Sequence, residues 1–263
     1  MERIAIISDI HGNITALNTV LEDIKKRGIK RVFAIGDYVT KCVHPDLVID
    51  AVRDNCEICL IGNCDYSIAK PLAKERNYWS RTIIGEERAE WLLNLPRAHE
   101  FYMSGHLIRL FHASPHSLDA IYNPTYLNEN TANKKVHSNP DELFENTSFI
   151  GKTVDAPIPD VVGYGHLHTP FVVRHKNKTI FNVGSVGIPI EMLNNDKDDV
   201  TNKYSTMASY MILEGEYDSK ELGNISFQLV RLTYDIEKEI EDLKNSDMPS
   251  RNKVIYNLKT AIS

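Results

Sequence analysis

The sequence predicts an α/β protein. Three observations carry this. Strand-like and helix-like segments alternate β-α-β-α-β through the first 62 residues, the pattern turns to strands after residue 160, and polar clusters follow one strand after another. Such alternation implies parallel strands with helices packed on the sheet, because a parallel pair needs a crossover connection. In open α/β sheets ligands lie beyond the carboxyl ends of the strands, so those polar clusters are where a site is expected.

Residues 3–8 read as a buried strand. Residues 13–27 read as a helix, with Ile14, Leu17, Leu21 and Ile24 on one face and Gly28 closing it. A second strand is predicted at 31–35, and a second helix at 45–53 with Pro45 in its first turn, where proline is tolerated. A third strand follows at 56–61. A helix is expected at about 83–95 with Trp91, Leu92 and Leu95 inward, then a strand pair at 101–103 and 107–111. Residues 116–159 are Asn-rich, carry Pro124, Pro140, Pro157 and Pro159, and show weak periodicity. They are expected to form a cap-like insertion over the site, partly helical at 141–146, within one domain spanning 1–263. Strands are predicted at 161–164, 171–174, 179–183, 207–213 and 225–232, with an exposed loop at 194–204. An amphipathic helix marked by Ile236, Ile240 and Leu243 closes the chain.

The balance of 30 basic against 36 acidic residues gives a net charge of −6. The nearest things to basic tracts are Lys25-Lys26-Arg27 and Lys134-Lys135, which disfavours bound nucleic acid while leaving a nucleotide open as a small substrate. No apolar run approaches the roughly 20 residues of a membrane span, and no signal peptide is visible. Cys42, Cys56, Cys59 and Cys64 crowd the first quarter, unlike a disulfide framework, so a reducing, cytoplasmic location is expected. Cys56-Glu-Ile-Cys59 reads as structural. In a strand, positions i and i+3 face opposite sides, and no second CxxC completes a zinc site.

Five segments concentrate metal-capable side chains: Asp9-Ile-His11-Gly-Asn13, Gly36-Asp37, Gly62-Asn63-Cys64-Asp65, His112-Ala-Ser114-Pro115 and Gly165-His166-Leu-His168. Each follows a predicted strand. Singly, each has a plain structural account, since a strand-end Asp often forms a turn or cap. Five matched segments in succession are not explained by capping. Imidazoles with carboxylates and one amide suit manganese, iron or zinc better than calcium. One four-coordinate ion cannot use them all, whereas two ions about 3.5–4 Å apart that share a carboxylate can.

In this order, over residues 9–168, the motifs resemble those of the calcineurin-like metallophosphoesterases. Gly62-Asn63-Cys64-Asp65 and Asn182-Val-Gly184-Ser185-Val-Gly187 are similar to the small bacterial and archaeal branch of phosphodiesterases and diadenosine tetraphosphate hydrolases. The resemblance implies two mixed β-sheets packed as a sandwich with flanking helices. It implies hydrolysis of phosphodiester or phosphoanhydride bonds, those of dinucleoside polyphosphates included, by in-line attack of a metal-bridging hydroxide. Asp9, His11 and His168 would hold a first ion, and Asn63, His112 and His166 a second. Asp37 would bridge them, so Asp37, Asn63 and His112 carry the catalysis. Manganese or iron is expected, with zinc as the alternative, and a small phosphorylated substrate as the partner.

One position departs from the pattern. Many relatives place a histidine after the asparagine as an acid for the leaving group, and here Cys64 stands there. A neutral thiol is a poor donor to an alkoxide, so a leaving group of low pKa is expected. His116 is either a substitute acid or a surface histidine. Asn13, at a helix start after Gly12, is expected to offer backbone donors to phosphate. Lys41 and His44 either reach that phosphate or begin a solvated helix. Two alternatives on the same fold are a Ser/Thr protein phosphatase and a catalytically silent scaffold. The missing histidine opposes the first, and the complete ligand set opposes the second.

Overall fold

The structure is a computed structural model that describes residues 1–71, 78–122, 136–137, 139–192 and 203–260. The first strand, β1 (Glu2–Ile7), is apolar on both faces because both are covered. Ile4 and Ile6 face a second sheet, while Ala5 and Ile7 face helices. Helix α1 (Ile14–Lys26) starts at Asn13, whose side chain accepts from the Ala16 amide. Then come β2 (Arg31–Ala34), α2 (Pro45–Asn55), β3 (Ile58–Cys59), α3 (Asn63–Ala69) and α4 (Tyr78–Leu93). Strands β4 (Ala98–Met103) and β5 (His106–Phe111) pair antiparallel, and the short β6 (Ile121–Tyr122) and β7 (Val136–His137) pair parallel. The remainder is β8 (Val161–Tyr164), β9 (Phe171–His175), β10 (Lys178–Asn182), β11 (Ile190–Met192), β12 (Lys203–Tyr204), β13 (Met207–Gly215), β14 (Ser226–Thr233), α5 (Ile236–Asn245) and α6 (Arg251–Thr260).

Two five-stranded mixed sheets result, ordered β14-β13-β1-β2-β3 and β4-β5-β8-β10-β9. Strands β1, β2 and β3 run parallel in the first sheet, and β5, β8 and β10 in the second. Ile4, Ile6, Phe33 and Ile35 pack on Ile108, Leu110, Phe181 and Val183 between the sheets. Leu17, Val48, Ile49 and Leu92 of the helices cover the outer face of the first sheet. This is the sandwich with flanking helices that the sequence implies.

Several elements differ from expectation. The described part of residues 116–159 does not lie over the polar clusters. Ala120, Tyr122, Leu143 and Phe144 cover the outer face of the second sheet at Phe111, Val162 and Tyr164, and residues 123–135 lie outside the described residues. Two 3-10 turns, Pro140–Phe144 and Ser148–Ile150, stand where partial helix was expected. The third strand shrinks to Ile58–Cys59 because Cys56 caps α2. Cys56 and Cys59 therefore do not point apart; their thiols hydrogen-bond to each other, and both are free cysteines. Helix α4 starts earlier than 83 and bends at Gly85, whose φ of +72° is outside the helical range. Most of the loop expected at 194–204 lies outside the described residues, but Lys203–Tyr204 is a strand against β11. Two helices close the chain rather than one. Among the described residues, no helix is long and apolar enough to cross a membrane.

Arg109 pins the second sheet's cover. Its side chain is fully buried and donates to Glu100 Oε1 at 2.6 Å, the Glu145 carbonyl at 2.8 Å and Asn146 Oδ1 at 2.5 Å. Removing the guanidinium leaves those acceptors without partners. Arg109→Met should cost about 3 kcal/mol in a urea titration and speed proteolysis between residues 139 and 156. An unshifted midpoint would show that the cover does not depend on this residue.

Candidate metal centre

Every predicted ligand sits just past the carboxyl end of a parallel strand. Asp9 and His11 follow β1, Asp37 follows β2 and Asn63 follows β3; His112 follows β5, and His166 and His168 follow β8. Asp9, His11, Asp37, His166 and His168 all have φ between +54° and +63°. That region is uncommon for residues with a Cβ and costs on the order of 1 kcal/mol each. Strain persists at such a density only where the surroundings over-determine it, which is typical of ligand sites.

The chain turns bring seven side chains together. His11 Nε2 lies 3.1 Å from His168 Nε2, 3.7 Å from Asp9 Oδ1 and 3.8 Å from Asp37 Oδ2. His168 Nε2 is 3.2 Å from Asp9 Oδ1. On the other side, His112 Nε2 is 3.5 Å from Asp37 Oδ1 and 3.0 Å from Asn63 Oδ1, with the His166 ring centred 5.3 Å away. Asp9, His11 and His168 form one group with ligand atoms within 4.8 Å of one another, and Asp37, His112 and His166 form another. Cys64 joins a third with His11 and Asp37, so its thiol borders the centre.

The donor atoms fit a cation. His11 Nδ1 is 3.2 Å from the Val39 carbonyl, His112 Nδ1 is 3.0 Å from that of Ile35, and His168 Nδ1 is 2.5 Å from that of Ile188. A carbonyl only accepts, so each Nδ1 holds the hydrogen and each Nε2 turns a lone pair inward. Two such lone pairs at 3.1 Å repel unless positive charge lies between them. Asp9 Oδ1 is buried without a directed hydrogen bond. Burial, and then Lys41, whose Nζ is 3.2 Å from Nε2, hold His11 well below the ordinary imidazole value. Burial and His112 bring His166 down to about 4. Burial pushes Asp9 and Asp37 upward, but the imidazoles outweigh it and keep both carboxyls low, hence ionised. For His112, burial is outweighed by the Asp37 and Asp9 carboxylates, and its pKa rises.

A supporting layer fixes these groups, and sequence reasoning missed its main member. Asp65 Oδ2 accepts from the amides of Asp37 at 2.7 Å and Gly62 at 2.9 Å, and Oδ1 from those of Tyr38 at 2.9 Å and Val39 at 3.3 Å. A signal was present, since an acid three residues after a helix-opening glycine matches a capping pattern. A Cβ on Gly62 would collide with the Asp37 carboxylate, and one on Gly165 with Ser8 Oγ and Asp9 Oδ2. The turn after β10 ties both sheets. Asn182 Nδ2 donates to the Gly165 carbonyl at 2.5 Å, and Ser185 Oγ to that of Asp9 at 2.7 Å.

One expected contact is not made, and two histidines left open between a substrate role and a surface role lie away from the ligand groups. Asn13 is fully buried; its amide donates to Ile10 and its side chain to the Gly187 carbonyl, so it offers nothing to a phosphate. A tight turn consumes the helix-start donors there. His116 is exposed and lies 3.1 Å from Glu145, outside the ligand groups. His44 lies 3.3 Å from Asp242.

Residues 2–195 match the calcineurin-like phosphoesterase superfamily domain. This chain belongs to that superfamily. An uncharacterized protein of Methanocaldococcus jannaschii is 30% identical, across 94% of this chain and 93% of its own. The fold is also that of a metallophosphoesterase from Sphaerobacter thermophilus, with TM-score 0.65, 22% identity and 99% of each chain covered. A hypothetical protein from Pyrococcus horikoshii OT3 gives TM-score 0.67 at 18% identity over 98% of each chain. Calcineurin-like phosphoesterases are metal-dependent phosphoester hydrolases, and the His and Asp groups here mark a divalent-metal site.

Proton and metal compete for the His112 Nε2 lone pair, and the carboxylates that raise the His112 pKa strengthen the proton's side as pH falls, whereas His166, at about 4, adds to that competition only in acid. Manganese affinity should fall by up to about tenfold per pH unit below neutrality, with about one proton released per binding event. Calorimetry in two buffers of different ionisation enthalpy reads both quantities. An affinity flat from pH 7.5 to 5.5 would contradict this protonation scheme.

Proposed function

We propose that this chain is a two-metal phosphoesterase that cleaves phosphodiester or phosphoanhydride bonds whose leaving group needs little protonation. The observation that carries the reading is a complete ligand set on both sides of one shared carboxylate. Asp9, His11 and His168 would hold one ion and Asn63, His112 and His166 the other, with Asp37 within 3.5 to 3.8 Å of an imidazole on each side. Manganese or iron suits these donors best, and zinc is the alternative. Such a pair supplies Lewis acidity and a nucleophile at neutral pH.

The protein's own groups set the substrate's chemistry. Ionised Asp9 and Asp37 balance the metal charge. Lys41, whose ammonium lies 3.2 Å from His11 Nε2, would turn to a phosphoryl oxygen once an ion takes that lone pair. Burial, then the Asp37 carboxylate, pushes the Cys64 thiol well above its ordinary pKa, so it keeps its proton and gives it up poorly. His116 lies against Glu145 rather than the centre. A Ser/Thr phosphate, which leaves as an alkoxide, is ill served here. A phosphate or activated aryl group is well served, and a small molecule such as a dinucleoside polyphosphate fits. The four free cysteines favour a reducing compartment such as the cytoplasm.

Protein loaded with manganese should cleave bis-p-nitrophenyl phosphate. Asp37→Asn should lower kcat/KM by about 10³-fold or more, since metal charge stabilisation supplies several kcal/mol. Full activity in that variant, or without metal, would overturn the assignment. Across aryl diesters, kcat/KM should drop steeply as leaving-group pKa rises, and Cys64→His should flatten the slope. A shallow slope in the unaltered protein would remove the argument from Cys64.

A further inference from the structure

A cavity of about 680 Å³ opens beside the metal centre. Lys41 and Asn63 line the side it shares with that centre. Trp79 of α4 lines another side, and Met248, Lys253 and Asn257, from the α5–α6 connection and α6, line a third. The volume suits a small organic molecule.

Its charge is unlike that of the chain. Acidic residues outnumber basic ones 36 to 30, yet among the described residues no Asp or Glu lines this cavity and two lysines do. Lys41 has its ammonium against the His11 imidazole rather than a carboxylate. Lys253, on α6, forms no ion pair among the described residues. Two ammoniums on one concave surface, with no carboxylate among its described lining residues, raise its potential and favour an anion. The rest of the lining adds an aromatic and apolar character. The Trp79 indole N–H donates to Asp247 Oδ1 at 2.7 Å, which fixes the ring beside Met248 and leaves it for contact with another flat group.

We propose that this cavity binds the leaving half of the substrate, and that this half is a nucleoside phosphate, its phosphate held by Lys41 and Lys253 and its base against Trp79 and Met248. This rests on the phosphoesterase reading and specifies it. Water adds to phosphorus and the P–O bond to the nucleoside phosphate breaks. That group departs as an anion met by two ammoniums, and the water's proton passes to solvent. No acid is needed. The matched family segment ends at residue 195, so Trp79 and Lys41 lie within it while Lys253 and Met248 lie beyond it.

AMP, ribose 5-phosphate and inorganic phosphate are the probes, titrated calorimetrically into manganese-loaded protein. AMP should bind at least tenfold more tightly than either other anion. Trp79→Ala should weaken AMP at least tenfold more than it weakens ribose 5-phosphate, whereas Lys253→Glu should weaken both and Lys253→Arg should restore AMP to within about threefold. Thermal melting of each variant separates misfolding from lost contact. AMP binding no better than ribose 5-phosphate, equal weakening of both by Trp79→Ala, or AMP binding unchanged by Lys253→Glu would overturn the proposal. The measurement needs no turnover. Absence of aryl diester cleavage by the unaltered protein would sink the phosphoesterase reading separately.

Discussion

The Asp65 carboxylate is the constraint on which the metal centre depends, although it is not among the ligands. Four backbone amides converge on its two oxygens, three from the loop after β2 and one from Gly62. Hydrogen bonds of this kind contribute about 1 kcal/mol each, enough together to offset the left-handed backbone at Asp37. Once that loop is set, two more follow from it. The Asp37 carbonyl accepts from the amides of both Ile10 and His11, and Asp37 Oδ1 accepts from the Cys64 amide at 2.8 Å. One buried side chain therefore places three of the five ligand-bearing segments.

The second sheet is brought to the first by the same means. Asp9 is the link. Its Oδ2 accepts from the His166 amide at 2.9 Å, its amide donates to Gly36, and its carbonyl accepts from Ser185 and Gly187. Asp9 Oδ1 alone is left pointing inward. This division of labour is what preorganisation requires: Asp9 spends one oxygen on the scaffold and turns the other inward, while Asp37 is anchored through Oδ1 and faces an imidazole with each oxygen. The dry layer of isoleucine, leucine and phenylalanine between the sheets keeps water from competing with these bonds.

Much of this was legible in the sequence because it is local. Side chains spread over strand ends leave their mark as short polar motifs after apolar runs, so the seven side chains that the fold gathers could be read. What escaped depends on partners distant in sequence. Asn13 looked like a phosphate binder because a glycine and a helix start are visible locally, whereas its engagement by Gly187 and Tyr234 is not. Cys56 and Cys59 were misplaced because a two-residue strand is too short for its alternation to reveal itself. The insertion was expected over the site on composition alone, while the buried Arg109 that ties it to the outer face lies in an ordinary-looking strand. Helix α6 was missed because Val254 and Leu258 are its only fully apolar buried positions, too weak a stripe to stand out.

The α5–α6 pair reaches the metal loops without supplying a ligand. Cys42 and Ile188 belong to the same apolar cluster as Ile240, Leu243, Val254 and Leu258. The Cys42 amide donates to the His11 carbonyl, and the Ile188 carbonyl orients the His168 ring. Helices that frame the cavity therefore press on the two loops that aim the first ligand group. The ligands themselves are held by backbone hydrogen bonds and strained turns, which tolerate little change. The wall opposite is built from side chains on surface helices, which tolerate a great deal. Exposed positions on the C-terminal helices can therefore change without disturbing the backbone bonds that hold the ligand groups.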